Sequence, residues 1–209
     1  MAAAKPGRKA PVLSGRAMPI RLAQPADAAA IAAIYAPNVT NSTVSFEHAA
    51  PDAEEMRRRV VATLAHAPWL VLEAGGEIAG YAYASRHRER AAYAWSVDVS
   101  VYVADAHRRA GVARALYRAL FGVLPLQGFC VAHAGIALPN PASVAFHEAC
   151  GFTPIGVYTS VGFKLGRWRD VSWWRRALRP LPDAPEPIVP LADVVGTPEW
   201  SRALSSSGP

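Results

Sequence analysis

Between residues 99 and 121 the chain runs from an alternating strand through a loop of small and basic residues straight into an apolar helix. No other stretch limits the fold as strongly. Val99-Ser100-Val101-Tyr102-Val103 has the period-two pattern and β-branched content of a strand. His107-Arg108-Arg109-Ala110-Gly111-Val112-Ala113-Arg114 follows, and Ala115-Leu116-Tyr117-Arg118-Ala119-Leu120-Phe121 begins the helix. A helix start presents unpaired backbone N–H groups and the positive end of the helix dipole, so it can replace the water contacts of a bound phosphate. Gly111 and Ala113 let the backbone approach a ligand, and Arg108, Arg109 and Arg114 add charge. The segment reads as a diphosphate cradle, with a plain tight turn as the competing reading. A nucleoside-triphosphate loop would carry Lys-Ser or Lys-Thr after its last glycine, and no such pair is present.

Composition narrows the organisation. With 209 residues, 52% of them apolar, the chain can bury one full core. We expect one domain over residues 18–178, between a disordered basic tail over 1–17 and a Pro-rich, extended tail over 179–209 that packs locally through Trp200. The net charge is +6, but the basic residues are scattered and no basic helix carries interleaved aromatics. Anionic small-molecule ligands account for that charge without nucleic acid. Cys130 and Cys150 lie in apolar segments without paired spacing, which predicts reduced core thiols and neither a disulfide nor a metal site. Residues 1–17 lack a signal-peptide core, and Met18 is an alternative start. No stretch approaches the roughly twenty apolar residues of a membrane span. A cytoplasmic protein that binds no membrane is expected.

Elements then follow from pattern. Ile20-Arg21-Leu22 is a short strand, Pro25-Ala26-Asp27 opens an Ala-rich helix through Tyr35, and residues 39–46 read as a loop over a site. Residues 53–65 have helical periodicity, residues 69–73 and 78–83 form a hairpin around Gly75-Gly76, and a basic loop spans Arg86–Arg90. After a central strand over 95–103 and the helix described above come a buried strand over 130–136, a helix over 141–150 ended by Gly151, and a closing hairpin over 157–163 and 171–176. The order β-α-α-β-β-β-α-β-α-β-β predicts a mixed α+β domain with a twisted mixed sheet flanked by helices.

Several strings, taken together, carry a resemblance. They are Trp95-Ser96-Val97-Asp98, His107-Arg108-Arg109-Ala110-Gly111, Leu138-Pro139-Asn140 with Ser143, His147-Glu148 and Gly151-Phe152, and Gly162-Phe163-Lys164-x-Gly166-x-Trp168-x-Asp170-Val171-x-x-Trp174. From about Ile20 to Arg176 the chain resembles the GCN5-related N-acetyltransferase (GNAT) superfamily, and within it the phosphinothricin and methionine sulfoximine N-acetyltransferase group. The resemblance implies the acyl-CoA N-acyltransferase fold, acetyl-CoA as co-substrate, no metal, a homodimer, and acetylation of the α-amino group of a small amino acid by direct attack in a ternary complex. It implies cofactor contacts from Val101, Tyr102 and Val103, from the loop Arg108, Arg109, Ala110, Gly111, Val112, Ala113 and Arg114, and from Asn140 and Ser143.

Acetyl transfer to an amine needs an unprotonated nucleophile, so some group must take the ammonium proton. Asp98 shares a strand face with Ser100 and Tyr102 and is the candidate base; a carboxylate satisfied by backbone or Arg neighbours is the alternative. The group resembled here usually has glutamate at this position, so the chain is shorter by one methylene. His147, with an imidazole able to act near neutrality, is the candidate acid for the leaving thiolate, against a merely packed histidine. Asn140 suits both a pantetheine contact and a helix cap. A backbone N–H near Val101 is the expected oxyanion donor. Arg88, Arg90 and Tyr93 would grip an anionic substrate unless the loop is simply a solvated tip, and Phe46 would wall the pocket or lie in the core. Trp168, Trp173 and Trp174 read as packing residues or a dimer interface. Two further readings remain: another amine or a protein N-terminus as acceptor, and a non-catalytic acetyl-CoA-binding regulatory domain.

Overall fold

The computed structural model describes residues 19–205. The expected N-terminal tail, Met18 and residues 206–209 lie outside them. Strands β1 (Ile20–Leu22), β2 (Trp69–Ala74), β3 (Glu77–Arg86), β4 (Ser96–Val103), β5 (Val131–Ala137), β6 (Thr153–Lys164) and β7 (Arg167–Ala177) form one sheet in the order β1-β2-β3-β4-β5-β7-β6. Every neighbouring pair is antiparallel except β4 with β5. The expected mixed sheet is therefore observed, with helices on both faces.

Helix α1 (Ala28–Thr40) buries Ala28, Ile31, Ala32, Tyr35 and Val39, the three- and four-residue spacing of one helical face. It extends into the segment read from sequence as a loop over the site, so the loop proper begins after Thr40. Helix α2 (Ala53–Leu64) is capped by Asp52, whose carboxylate accepts from the Glu55 N–H at 2.8 Å. Both pack with Trp69, Val71 and Tyr81 on one sheet face. The other face receives α3 (Val112–Gln127), which buries Val112, Ala115, Leu116, Ala119, Leu120, Val123 and Leu124 against Val97, Val99, Ala132 and Ala134. Helix α4 (Pro141–Ala149) follows β5. No described helix is long and apolar enough to cross a membrane.

The Pro-rich segment departs from the extended tail expected of it. Helices α5 (Leu191–Val194) and α6 (Pro198–Ser205) form there, and Leu191, Val194 and Trp200 join the α3 core. Close approach is possible because α3 has glycine at position 122, where an added Cβ would lie 3.0 Å from the Ala203 Cβ. The connection is pinned by buried Gln127, whose Nε2 donates to the carbonyls of His66 and Val189 at 3.0 and 3.1 Å. Deleting the Trp200 side chain should cost about 3–5 kcal/mol of unfolding free energy, the usual scale for a buried tryptophan. Urea unfolding of Trp200→Ala measures this, and a loss under about 1 kcal/mol would show that α6 is not docked.

Candidate active site

The site begins with an opening in the sheet. Strand β4 pairs with β5 at only three positions, Ser96↔Val131, Val97↔Ala132 and Asp98↔His133, although both strands continue beyond them. Beyond that point β4 is held by β3 and β5 by β7. The Ala104 N–H donates to the Ala79 carbonyl at 2.9 Å, one step past the Gly80↔Val103 pair, which fixes the ladder's phase. Alternation then turns the N–H groups of Ser100 and Tyr102 toward β3, and those of Val101 and Val103 toward the opening. Val101, expected from the sequence to supply the oxyanion donor, thus turns its N–H toward the opening.

At one end of this opening β4 leads through a short 3-10 turn (Asp105–His107) to the N-terminus of α3. Arg109 and Gly111 both adopt left-handed backbone, at φ 63° and 82°. A Cβ on Gly111 would meet nothing within 4 Å, so glycine serves the backbone conformation there and leaves open space above it. No side chain caps α3 and its first turn holds no acid, so the leading N–H groups remain available to an anion. Arg108 is exposed and ion-paired with Asp105 at 2.8 Å, which leaves Arg109 and Arg114 as the more direct cations of the predicted cradle.

The register places Asp98, Ser100 and Tyr102 on the α1/α2 face with Tyr81 and Tyr83 of β3, His133 and Gly135 of β5, and Trp173 of β7. Asp98 Oδ1 lies 2.7 Å from His87 Nδ1. Burial pushes the Asp98 carboxyl upward, opposed by the hydrogen bond from His87. The His87 ring stacks on His133 with centroids 4.2 Å apart and planes at 19°, and meets Tyr93 and Trp173 edge-on. Sequence reasoning placed His87 only within a basic loop and missed His133 altogether; its signal, a polar residue at an alternating position of a buried strand, means little until the register is known.

His147 lies elsewhere, buried among Tyr117, Phe146 and Phe152 between α3 and α4. Its Nδ1 is 2.8 Å from the Ser143 carbonyl, which can only accept, so Nδ1 carries the proton and Nε2 accepts from the Tyr117 hydroxyl at 3.1 Å. Burial lowers its pKa. Asn140 caps α4, with Oδ1 accepting from the Ser143 N–H at 3.1 Å. Phe46 stands over β6: a Cβ on Gly162 would come within 2.2 Å of its ring. Beside it the ammonium of buried Lys164 donates to the carbonyls of Val39 and Ser45 at 2.6 and 2.5 Å, fastening the α1–α2 loop to the hairpin.

Arg88, Arg90 and Tyr93 line a cavity of about 560 Å³ at the end of the sheet where β3 finishes and β4 begins. A smaller one of about 330 Å³, lined by Tyr35, Glu47, Arg59 and Tyr83, shares Ala62, Thr63 and Ser85 with it. Neither wall includes Asp98, Phe46 or His147. Arg88 links the basic loop to the Asp98 cluster, donating to the His87 carbonyl at 2.6 Å with its guanidinium 5.6 Å from the Trp173 ring centroid.

A strand-split sheet with an uncapped helix start beside the split agrees with the comparison to known families, in which the acetyltransferase (GNAT) domain matches residues 20–173. The chain belongs to the GNAT acetyltransferase family. The enzyme class read from the sequence, an N-acetyltransferase, stands with it. Among relatives of this GNAT chain, a phosphinothricin N-acetyltransferase of Streptomyces viridochromogenes is 38% identical over 179 residues, covering 86% of this chain and 97% of that protein. An L-methionine sulfoximine/L-methionine sulfone acetyltransferase of Salmonella typhimurium is 34% identical, covering 77% and 95%. The crystal structure of a GNAT phosphinothricin acetyltransferase from Sinorhizobium meliloti in complex with AcCoA superposes with a TM-score of 0.76 at 32% identity, covering 83% of this chain and 98% of that one.

His133 carries a consequence for stability. Burial chiefly, then His87, Arg175 and Arg88, pull its pKa down from 6.5 to about 4. The unfolded chain therefore binds a proton that the folded chain refuses, and the residue destabilises the fold progressively as pH falls from about 6.5 toward 4. His133→Phe should lose less unfolding free energy than the wild type between pH 7 and pH 5, as read by denaturant titration; an equal or larger loss would contradict the assignment.

Proposed function

We propose that the protein transfers the acetyl group of acetyl-CoA to the α-amino group of a small polar or anionic amino acid of the phosphinothricin or methionine sulfoximine/sulfone type, by direct attack within a ternary complex. The observation that carries this reading is the opening between β4 and β5, which runs from the α3 start to the Asp98 face. The names of the relatives support the acceptor class.

The donor set fits acetyl-CoA. The α3 N–H groups with Arg109 and Arg114 suit a diphosphate, and the Val101 N–H faces the space a pantetheine arm and thioester would occupy. Asn140 and Ser143, at the start of α4, border the same cofactor path. Attack on the thioester builds negative charge on its oxygen, which the Val101 N–H stabilises. The cluster around Asp98 receives the ammonium proton. His147 in its charged form, protonated on both nitrogens, gives a proton to the thiolate; the Ser143 carbonyl fixes the ring, and burial, which lowers its pKa, makes that form the stronger acid. Cys130 is buried, and Cys150 closes the end of α4, its N–H donating to the His147 carbonyl while burial pushes its thiol up, which supports direct transfer rather than an acyl-enzyme.

Arg88, Arg90 and Tyr93 bind the acceptor's anionic groups, and Phe46 closes its apolar side. A cationic amine would face the guanidinium groups of Arg86, Arg88 and Arg90 on the cavity wall, which outnumber the one carboxylate there, Glu89, and disfavour that acceptor class. The working unit is a homodimer formed through the closing hairpin. Edge strand β6 exposes Ile155, Val157, Tyr158, Val161 and Phe163, and Trp168 beside them is 63% exposed, an apolar surface that a second copy would cover.

Thiol release from acetyl-CoA should be stimulated by amino acids of this type and not by cationic amines; the reverse selectivity would sink the acceptor assignment. Arg88→Ala should raise KM roughly tenfold or more while leaving kcat within about threefold, and an unchanged KM would return Arg88 to a solvated role. Val157→Asp should convert a dimer to a monomer in sedimentation analysis, whereas a wild-type chain that is monomeric at micromolar concentration would refute the interface.

A further inference from the structure

We propose that the group taking the proton from the acceptor amine is the His87 imidazole, at Nε2, and that Asp98 holds and orients that ring instead of touching the amine. This deepens the acyltransferase reading and rests on it. The two residues are 2.7 Å apart through His87 Nδ1 and Asp98 Oδ1. An ionised carboxylate there accepts, so Nδ1 carries the hydrogen and Nε2 is left with its lone pair. Among the described residues Nε2 forms no hydrogen bond. An aspartate bonded in this way fixes a histidine tautomer and stabilises the imidazolium that forms, the division of labour found in catalytic triads.

The ring's surroundings support that role. His133 stacks against one face of His87, and Tyr93 and Trp173 meet it edge-on at 5.9 and 6.1 Å, so β5, β7 and the far end of its own loop constrain the direction of Nε2. Its side chain is 14% exposed, against 28% for Asp98, so both are sheltered without being sealed. The charged and titratable groups around it are Asp98 from β4, His133 and Arg175 from the paired strands β5 and β7, and Arg88 and Tyr93 from its own loop. Two of these are cations, and His133 stays neutral above about pH 4. Among these groups Asp98 is the one negative charge, and it is bonded directly to Nδ1 of the ring. Arg88, bonded to the His87 carbonyl, places an anion-binding group beside the base.

The proton balance is closed. One proton passes from the ammonium to His87 Nε2 and on to solvent; the freed nitrogen lone pair forms the C–N bond as the C–S bond breaks. The amine's second proton is released as the amide forms, and the thiolate takes up one. Asp98 stays bonded to Nδ1 throughout, its carboxylate balancing the imidazolium that forms.

The test has two independent readouts. Nitrogen-15 shifts of histidine-labelled full-length protein at neutral pH should show His87 protonated on Nδ1 with a bare Nε2, and Asp98→Asn, which can donate to Nδ1, should reverse the tautomer. His87→Gln should lower kcat by about a hundredfold or more with acetyl-CoA affinity unchanged, and should remove the acid limb of the kcat/KM profile. A wild-type His87 protonated on Nε2, or a His87→Gln enzyme within about threefold of wild-type kcat, overturns the proposal. The tautomer is read without any acceptor, so a wrong acceptor class fails separately in the thiol-release assay.

Discussion

The functional architecture depends on how briefly β4 and β5 pair. Three positions hold the strands together, and both continue past the last of them. A longer ladder would consume the Val101 N–H and close the space in front of it. A shorter one would release His133 from beside Asp98. The partners on the outer sides, β3 for β4 and β7 for β5, let the strands part while most other backbone groups remain bonded. The sheet is therefore open at its centre and satisfied at its flanks.

From that opening the remaining parts follow by connectivity. Strand β4 runs to the start of α3, which is uncapped and preceded by left-handed backbone at Arg109 and Gly111. Strand β5 runs to Asn140 and α4, which carries His147 into an aromatic cluster shared with α3. Each strand delivers one helix to the same cleft. On the other face Asp98 and His133 form the last of the three pairs, so the ladder that ends at the cleft also carries an acidic and an imidazole group into it.

Much of this was legible from local pattern. The alternation over 99–103 and the apolar run over 115–121 marked β4 and α3, and the element order from β1 to β7 matched the sequence reading. Strand alternation sets which amides of β4 turn away from β3, and the Val101 N–H is among them. What escaped was long-range: nothing near residue 133 says that it will sit opposite Asp98, and nothing in the basic loop says that His87 will turn back onto that carboxylate. Cross-strand register is decided by packing over the whole sheet, and local periodicity carries no record of it. Similar reasons hid the helices at 191–194 and 198–205, where frequent prolines read as extended chain and the groove on α3 made by Gly122 decided otherwise. The Trp173 indole, read as packing, also closes one side of His87.

Lys164 has a consequence for how such a protein can diverge. Its buried ammonium ties the Val39 and Ser45 carbonyls to a hairpin whose outward strand is apolar, while Phe46 rests on Gly162 of the same strand. The loop that follows α1 and the outer edge of the sheet are thus two surfaces of one fastened unit. Substitutions that drift on either surface are filtered by the other, so hairpin and loop should change together in descendants of this sequence, as one inherited block.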